Sequence, residues 1–300
     1  MPETVRQCPL CASDRSHPFD RRYFRGRLVE NRVCRDCGLV FQSPRMTEAE
    51  SVAFYAEEYR LLQEGSADPT ARNVAAQRLR VNALLEFTRA HAQVVTRHLD
   101  IGCSLGILLQ GFQKTYHNQP YGIEPGEAHR SQALKEGFTV YASMAELEEQ
   151  ETGRFDLISM SHVLEHLPDP VGYLNHLRES ILTPDGWLLV EVPNLYAHDS
   201  FEPAHLVAYS PHMLRQTLEK AGFAIVCLEA HGRPRSDVLP LYITVLARPG
   251  SGAPRTTHRV PEKRVALKRR LGMLRRRILE RLIPRRAWKR LLWKSKQVWR

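Results

Sequence analysis

The stretch Leu99-Asp-Ile-Gly-Cys-Ser-Leu-Gly106 decides the fold. An apolar strand delivers Asp100 and runs into a glycine-rich turn that opens a helix. Gly102 lets the backbone bend and approach a ligand, and Gly106 keeps the helix start clear of a side chain. The spacing does not fit a dinucleotide G-x-G-x-x-G fingerprint, whose second and third glycines would fall at Ser104 and Ile107. No lysine follows to make a phosphate-binding loop.

Outward from this turn, short apolar segments alternate with helical ones. Strands are expected at Val94–Leu99, Pro120–Ile123, Thr139–Tyr141, Phe155–Met160, Gly186–Glu191, Ala224–Glu229 and Tyr242–Ala247, with helices near 105–115, 126–135, 144–150, 170–182 and 211–221. Such alternation implies right-handed crossovers and a mostly parallel sheet with helices on both faces, an α/β class. The ligand crevice of such a sheet lies beyond the carboxyl ends of its strands. Upstream, Thr47-x-x-Glu50 reads as a helix capping box. Two helices should follow, near 47–63 and 70–92, the second with Val74, Leu79, Leu84, Leu85 and Phe87 as a rough apolar stripe.

The 300 residues fit about two domains. With 43% hydrophobic and 25% charged residues, a disordered polymer, a collagen-like fibre and a small disulfide scaffold are excluded. No apolar run reaches the ~18–20 residues that span a bilayer, and Met1 to Asp20 holds no signal-peptide core, so a cytoplasmic protein is expected. The net charge of +10 is unevenly spread. From Arg255 to Arg300 there are 18 Lys/Arg against two acids, Glu262 and Glu280, leaving a mildly acidic body. An anionic partner should meet the tail first.

Four of the six cysteines pair as Cys8-x-x-Cys11 and Cys34-x-x-Cys37, with 22 residues between the pairs. Two such knuckles can supply a closed tetrahedral S4 shell, and softness and geometry then favour a structural zinc ion. Gly38 suits the left-handed turn of a knuckle. The alternatives are two disulfides or unrelated thiols; disulfides would need an oxidising compartment. Cys103 and Cys227 sit in apolar contexts and are expected to be unpaired.

Taken together, these motifs resemble class I S-adenosylmethionine-dependent methyltransferases, with their Rossmann-like fold. Residues 99–106 resemble the family's Asp-x-Gly-x-Gly-x-Gly motif, with Ser104 as the middle glycine. The resemblance continues in Gly122-Ile-Glu124-Pro, in Phe155-Asp-Leu-Ile-Ser-Met-Ser-His-Val-Leu-Glu-His-Leu-Pro-Asp-Pro170, in Thr183-Pro-Asp-Gly186 and in Lys220-Ala-Gly-Phe223, covering about 95–248. Cys37-Gly-Leu-Val-Phe41, Pro44 and Phe54-Tyr-x-x-x-Tyr59 further resemble members with an N-terminal zinc ribbon, some of which act on sugars or polysaccharide precursors. The C-terminal extra domain of the sugar C-methyltransferases in that group is not expected in these 300 residues. The implied domains are a zinc ribbon (1–45), a helical connector (46–93), an S-adenosylmethionine-binding domain (94–248) and a linker with a basic amphipathic tail (249–300).

By that resemblance, Asp100 and Gly102 line the methionine half of the cofactor, in one binding turn with Ser104 and Gly106. Glu124 holds the ribose, a carboxylate being a bidentate acceptor for two vicinal hydroxyls. Ser143 and Met144 contact adenine, while Ser161 and His162 face the methyl end. Transfer to a hydroxyl needs a general base near neutral pH, a task that suits histidine. Among His162, His166, His198 and His205, His205 is favoured and His166 is second. Their plainer roles would be a backbone hydrogen bond for His205 and helix packing or capping for His166. Tyr196 and Tyr209 are lesser candidates.

In the tail, Leu267, Leu271, Leu274, Ile278 and Leu282 recur at steps of three and four, forming one apolar stripe among arginines. Pro284 breaks it, and Trp288, Trp293 and Trp299 follow. Tryptophan with arginine suits an anionic membrane surface, reached through 264–300, as a peripheral protein on the inner membrane face. RNA binding and packing against the body are the alternatives. Methyl transfer to a small-molecule or glycan acceptor is therefore expected. The competing functions are an RNA methyltransferase and a non-catalytic scaffold.

Overall fold

The computed structural model describes residues 2–47, 50–51, 54, 71–250 and 260–289, with backbone only for 71–73. The expected 47–63 helix beyond its start, the Tyr55/Tyr59 pair, most of the 249–257 linker and the Trp293–Trp299 end of the tail lie outside these residues. Thr47 and Glu50 do form the capping box: the Thr47 amide donates to the Glu50 carboxylate (2.9 Å), and the Glu50 amide to the Thr47 hydroxyl (3.2 Å).

The N-terminal unit is a hairpin, β1 (Ser16–Phe24) with β2 (Arg27–Cys34), followed by β3 (Val40–Gln42) antiparallel to β2. The hairpin accounts for the long spacer between the cysteine pairs. Helix α1 (Ala71–Arg89) follows and buries Val81, Leu84 and Phe87, while Leu79, expected in its apolar stripe, is exposed. The reason is its neighbour. Val81 meets Gly111 of α2 (Ile107–Tyr116), whose missing Cβ lets the two helices approach.

The main sheet is built from β4 (Arg97–Ile101), β5 (Gln119–Ile123), β6 (Thr139–Tyr141), β7 (Phe155–Ser161), β8 (Leu182–Pro193), β10 (Phe223–His231) and β11 (Tyr242–Pro249). Its order is β10-β11-β8-β7-β4-β5-β6. Strands β6, β5, β4, β7 and β8 run parallel, β11 is antiparallel to β8, and β10 is antiparallel to β11. Helices α2, α3 (Glu127–Lys135), α4 (Met144–Gln150), α5 (Pro170–His176) and α6 (Pro211–Lys220) connect them. This is a Rossmann-like class I methyltransferase topology. Successive crossovers leave β4 in opposite directions, so the switch point, where such sheets hold ligands, falls at the end of β4.

Several boundaries differ from expectation. β4 begins at Arg97, not Val94, because the Asp156 carboxylate takes the Thr96 and Arg97 amides (2.7 and 3.0 Å) and fixes the strand's entry; Val94 is left exposed. The helix expected to reach 182 ends in a π turn at Leu177–Ile181, and β8 absorbs the Thr183–Gly186 turn. A short strand, β9 (Val207–Ala208), was not expected at all. It pairs with β3, so the loop after β8 is stitched into the N-terminal sheet.

At the C-terminus, α7 (Val265–Leu282) and α8 (Pro284–Ala287) lie on the body. Glu262, just before α7, is buried. It accepts from Tyr196 Oη (2.6 Å) and the Ser210 hydroxyl, and its amide donates to the Cys37 carbonyl (2.8 Å). Among the described residues, no helix is long and apolar enough to cross a membrane.

Candidate active site and cysteine cluster

The turn after β4 and the end of β5 form one construction. Gly102 and Gly106 adopt φ of 76° and 73°, the left-handed region that suits glycine, and Ser104 shares it at φ 53°. A Cβ on Gly102 would stand 2.7 Å from Val163 Cγ2, so a side chain there is excluded by space as well as by conformation. Glu124 directly follows β5 and is buried. Its carboxylate accepts the Ser104 amide (2.9 Å) and the Gly126 amide (2.9 Å), binding the two loops together.

Asp100 lies in the adjacent strand, also buried, and accepts from the Ser159 hydroxyl of β7 (2.6 Å). Burial raises its carboxyl to about 7, against the pull of the Ser159 bond, and the neighbouring Glu124 charge adds to the rise. Behind Ser159 stands His98 Nε2 (2.8 Å), whose imidazole is pushed down to about 3 by burial and is neutral. Ser143 is the N-cap of α4, its hydroxyl accepting from the Glu146 amide (3.2 Å), and Met144 packs against the main core.

A second polar cluster gathers where β7, β8, β11 and α1 converge. Glu191 of β8 is fully buried and ion-pairs with Arg80 of α1 (3.0 Å); His162 Nε2 lies 3.4 Å away and the Thr244 hydroxyl donates to it (3.2 Å). Burial alone would raise the Glu191 carboxyl, but His162 and the Arg80 charge outweigh that and hold it at about 2. His162 sits at φ 58° just past β7, with Nδ1 3.2 Å from Glu165. Around the Tyr242 ring stand His162, His198 and His231, with ring centroids 5.3, 5.7 and 6.1 Å away, and the Arg80 guanidinium at 5.3 Å. Nδ1 of His198 and of His231 is buried with no hydrogen-bond partner among the described residues. Ser161 Oγ lies 3.5 Å from Glu191.

His205 and His166 meet under the loop after β8, with ring centroids 4.8 Å apart, and Glu165 joins them within 4.8 Å. Burial would depress His205, but Glu202 (2.9 Å) overcomes it with charge and hydrogen bond, raising the imidazole to about 9. His166 is pushed down to about 4 by burial, and its Nδ1 is 2.9 Å from the Ala204 carbonyl. At neutral pH this cluster therefore holds one imidazolium between two carboxylates. The Tyr209 hydroxyl is buried here and has no hydrogen-bond partner among the described residues.

The four N-terminal cysteines converge. Cys8 and Cys37 Sγ lie 3.6 Å apart, Cys11 and Cys34 Sγ 3.4 Å apart, and all four fall within 4.8 Å of one another. None of the six cysteines forms a disulfide. A metal–sulfur bond of ~2.3 Å in a tetrahedron separates the sulfurs by about 3.8 Å, so the set could hold such an ion. Thiols this crowded cannot all ionise alone: the contact with Cys34 raises Cys8 to about 12 and lifts Cys37 as well, while Cys37 draws Cys34 far down. Gly38 adopts φ 91° and lies against the Glu262 backbone.

A family model described as a methyltransferase domain matches residues 71–228. The chain belongs to that family. Among curated relatives of this methyltransferase-domain protein, the ubiquinone biosynthesis O-methyltransferase of Vibrio parahaemolyticus is 29% identical over 122 residues, 39% of this chain and 51% of that protein. The protein of the same name from Nitrosococcus oceani is 36% identical over 110 residues, 34% and 46% of the two chains. The chain thus spans about half the length of the curated relatives it matches. Among solved structures, the 1,6-didemethyltoxoflavin-N1-methyltransferase of Burkholderia thailandensis, with bound 1,6-didemethyltoxoflavin and S-adenosylhomocysteine, superposes with a TM-score of 0.55 at 17% identity, covering 77% of this chain and 99% of that one. An S-adenosylmethionine-dependent methyltransferase of Archaeoglobus fulgidus gives 0.50 at 21% identity, covering 64% and 100%. At such identities the likeness is one of fold.

Sequence reasoning about this methyltransferase-domain chain missed Arg80, Glu191, His231 and Tyr242. Each looks ordinary in its own segment: a basic residue on a helix, or a polar one at a strand's end. One signal was available. A carboxylate inside the apolar run Trp187–Val192 needs a buried cation nearby.

Proposed function

We propose that the protein transfers a methyl group from S-adenosylmethionine to a small polar acceptor bearing hydroxyl groups, of the sugar or glycan-precursor class. The observation that carries the reading is the meeting of Asp100 and Glu124 at the switch point, with Glu124 bonded to the amide of Ser104 in the glycine-rich turn. Such a turn offers a close backbone approach for the methionine half, and Glu124 offers carboxylate lone pairs for the ribose hydroxyls. The bound sulfonium supplies a methyl that is already activated, so the work of the chain is positioning. Ser143 and Met144 would flank the adenine, and Ser161 and His162 the methyl end.

The acceptor would lie against the Tyr242 cluster, whose mixture of imidazoles, Arg80 and Glu191 matches a molecule rich in donors and acceptors. We assign proton removal to His162. Glu165 and Glu191 flank it and would stabilise the imidazolium that forms. His205, favoured from the sequence, is an imidazolium at neutral pH. With His166 and Glu202, it would hold the loop over the acceptor instead. Cys8, Cys11, Cys34 and Cys37 would bind a structural zinc ion whose closed shell leaves no position for substrate.

The test is transfer of labelled methyl from S-adenosylmethionine to lipid, polysaccharide, small-molecule and RNA fractions. Label in the glycan or small-molecule fraction supports the acceptor class, and label confined to RNA overturns it. If calorimetry detects no binding of S-adenosylmethionine, the whole reading fails. His162→Gln should lower kcat by ~10²-fold or more with cofactor affinity retained.

A further inference from the structure

An amphipathic helix on a folded body ordinarily turns its apolar stripe inward. Helix α7 does the reverse. Leu267, Leu271, Leu274, Ile278 and Leu282 are 48, 57, 52, 45 and 73% exposed, while Arg269 is 8% exposed. The inner face packs Val265 and Leu279 into small apolar clusters near its two ends and is otherwise held by polar chemistry. The Arg269 guanidinium donates to the carbonyls of Leu195 and His198 (3.2 Å for the latter) and pairs with Asp199 (3.0 Å). Arg276 donates to the Ala197 carbonyl (3.0 Å). Between them Gly272 backs onto the Tyr196 carbonyl, where a Cβ has no room. The carbonyls of the 195–198 turn thus take up the arginines, and the helix cannot roll over without abandoning them.

The stripe is left as a continuous apolar face, a feature that marks an interaction surface. Its borders carry one sign of charge: Arg270, Arg275, Arg277 and Arg281 are all exposed. The single acid of the helix, Glu280, is already tied to Arg276 (3.0 Å) and to the Trp288 indole (2.9 Å). A second copy of α7 packed stripe to stripe would bring arginine against arginine along both edges, where paired helices need opposite charges. A nucleic acid would accept the arginines but has no use for the leucines, since single strands seek stacking aromatics. An anionic lipid surface satisfies both, taking leucines into the acyl boundary and arginines at its headgroups.

We propose that α7 is a membrane-docking helix that lies on anionic lipid through its outward leucine face while its inner face grips the turn after β8. His198 of that turn stacks near Tyr242, so the docked helix stands directly beside the polar cluster at the end of the sheet. The inference rests on the geometry of α7 alone and holds whatever the acceptor is.

Co-sedimentation of the full chain with phosphatidylglycerol/phosphatidylcholine vesicles, against pure phosphatidylcholine vesicles, tests it. At least tenfold tighter binding to the anionic vesicles is expected. The pair Leu271→Glu and Leu274→Glu should lose at least tenfold of that binding with an unchanged melting temperature, both side chains being exposed. The neutral pair Leu271→Gln and Leu274→Gln should lose it too, separating lost apolar contact from charge repulsion. Unaltered binding of the glutamine pair, or equal binding to both vesicle types, overturns the proposal. So does a wild-type dimer in light scattering that the glutamine pair splits, or RNA retention without vesicle binding.

Discussion

The glycine-rich turn and the Tyr242 side of this molecule are built by different means. In the turn at 99–126 most contacts fall within some twenty residues of chain, Glu124 reaching Ser104 and Gly126 while glycines supply the left-handed backbone, and Asp100–Ser159 and Gly102–Val163 tie it to a distant strand and loop. Around Tyr242 and the C-terminal helix, the contacts that tie the elements together join distant segments: Arg80 with Glu191, Glu262 with Tyr196, β3 with β9, and Arg269 with the 195–199 turn. Local construction makes the first region robust to its surroundings. The second depends on the whole molecule being assembled, and the two should fail separately.

The largest expected effect is at the cysteines, the far end of the distant network. With zinc held by the four cysteines as proposed, Cys37→Ser or a chelator should remove it and cost more than ~5 kcal/mol of N-terminal stability, part of the ~10–16 kcal/mol a structural zinc supplies. Because β9 pairs with β3, amide exchange at Val207 and Ala208 should accelerate while cofactor affinity holds. Equal loss of cofactor affinity would break the comparison.

Next is Glu191→Gln, which leaves the half-buried Arg80 without its counter-charge and should cost about 3 kcal/mol at pH 7 in denaturant unfolding, the low end for a broken buried pair because Arg80 still reaches solvent. The wild-type carboxyl is held at about 2, below its ordinary value near 4.5. Its stabilising contribution is therefore present above pH ~4.5 and lost as pH falls toward 2. The gap between wild type and variant should close over that range, and a gap constant with pH would refute the assignment.

Within the turn, Glu124→Ala should weaken S-adenosylmethionine binding by ~2–3 kcal/mol, roughly 30- to 150-fold, for lost hydrogen bonds to a charged acceptor. Exchange at β9 should be unmoved. Calorimetry showing unchanged affinity would remove Glu124 from the ribose. The smallest effect is Ser104→Gly. Relief of a left-handed serine, offset by glycine's extra chain entropy, should stabilise the fold by about 0.5–1 kcal/mol in thermal melts.

The same division governs what could be read in advance. The parallel strands, the Thr47–Glu50 capping box and the left-handed Gly38 are properties of a few neighbouring residues, and they were legible as such. Ser104 stands where the resembled motif has its middle glycine, and its φ of 53° is the left-handed conformation that glycine suits. β9 was illegible because two residues carry no periodicity, and the strand exists only because β3 offers an edge. The histidines were countable, but their charge states were not. His205 and His166 differ because Glu202 stands beside one, while burial dominates the other.

By itself the sequence determined that there is an acidic, glycine-rich turn opening a parallel sheet, that four cysteines come in two knuckles, and that the tail has an apolar and a basic face. Those are statements about spacing, and spacing is intrinsic to the chain. Only the tertiary structure decided which face of α7 is buried, which carboxylate Arg80 answers, and that the loop after β8 pairs with β3. Periodicity announces two faces but is silent on what each meets. The open carbonyls of the 195–198 turn favoured arginine over leucine, and no pattern within residues 265–282 contains that information.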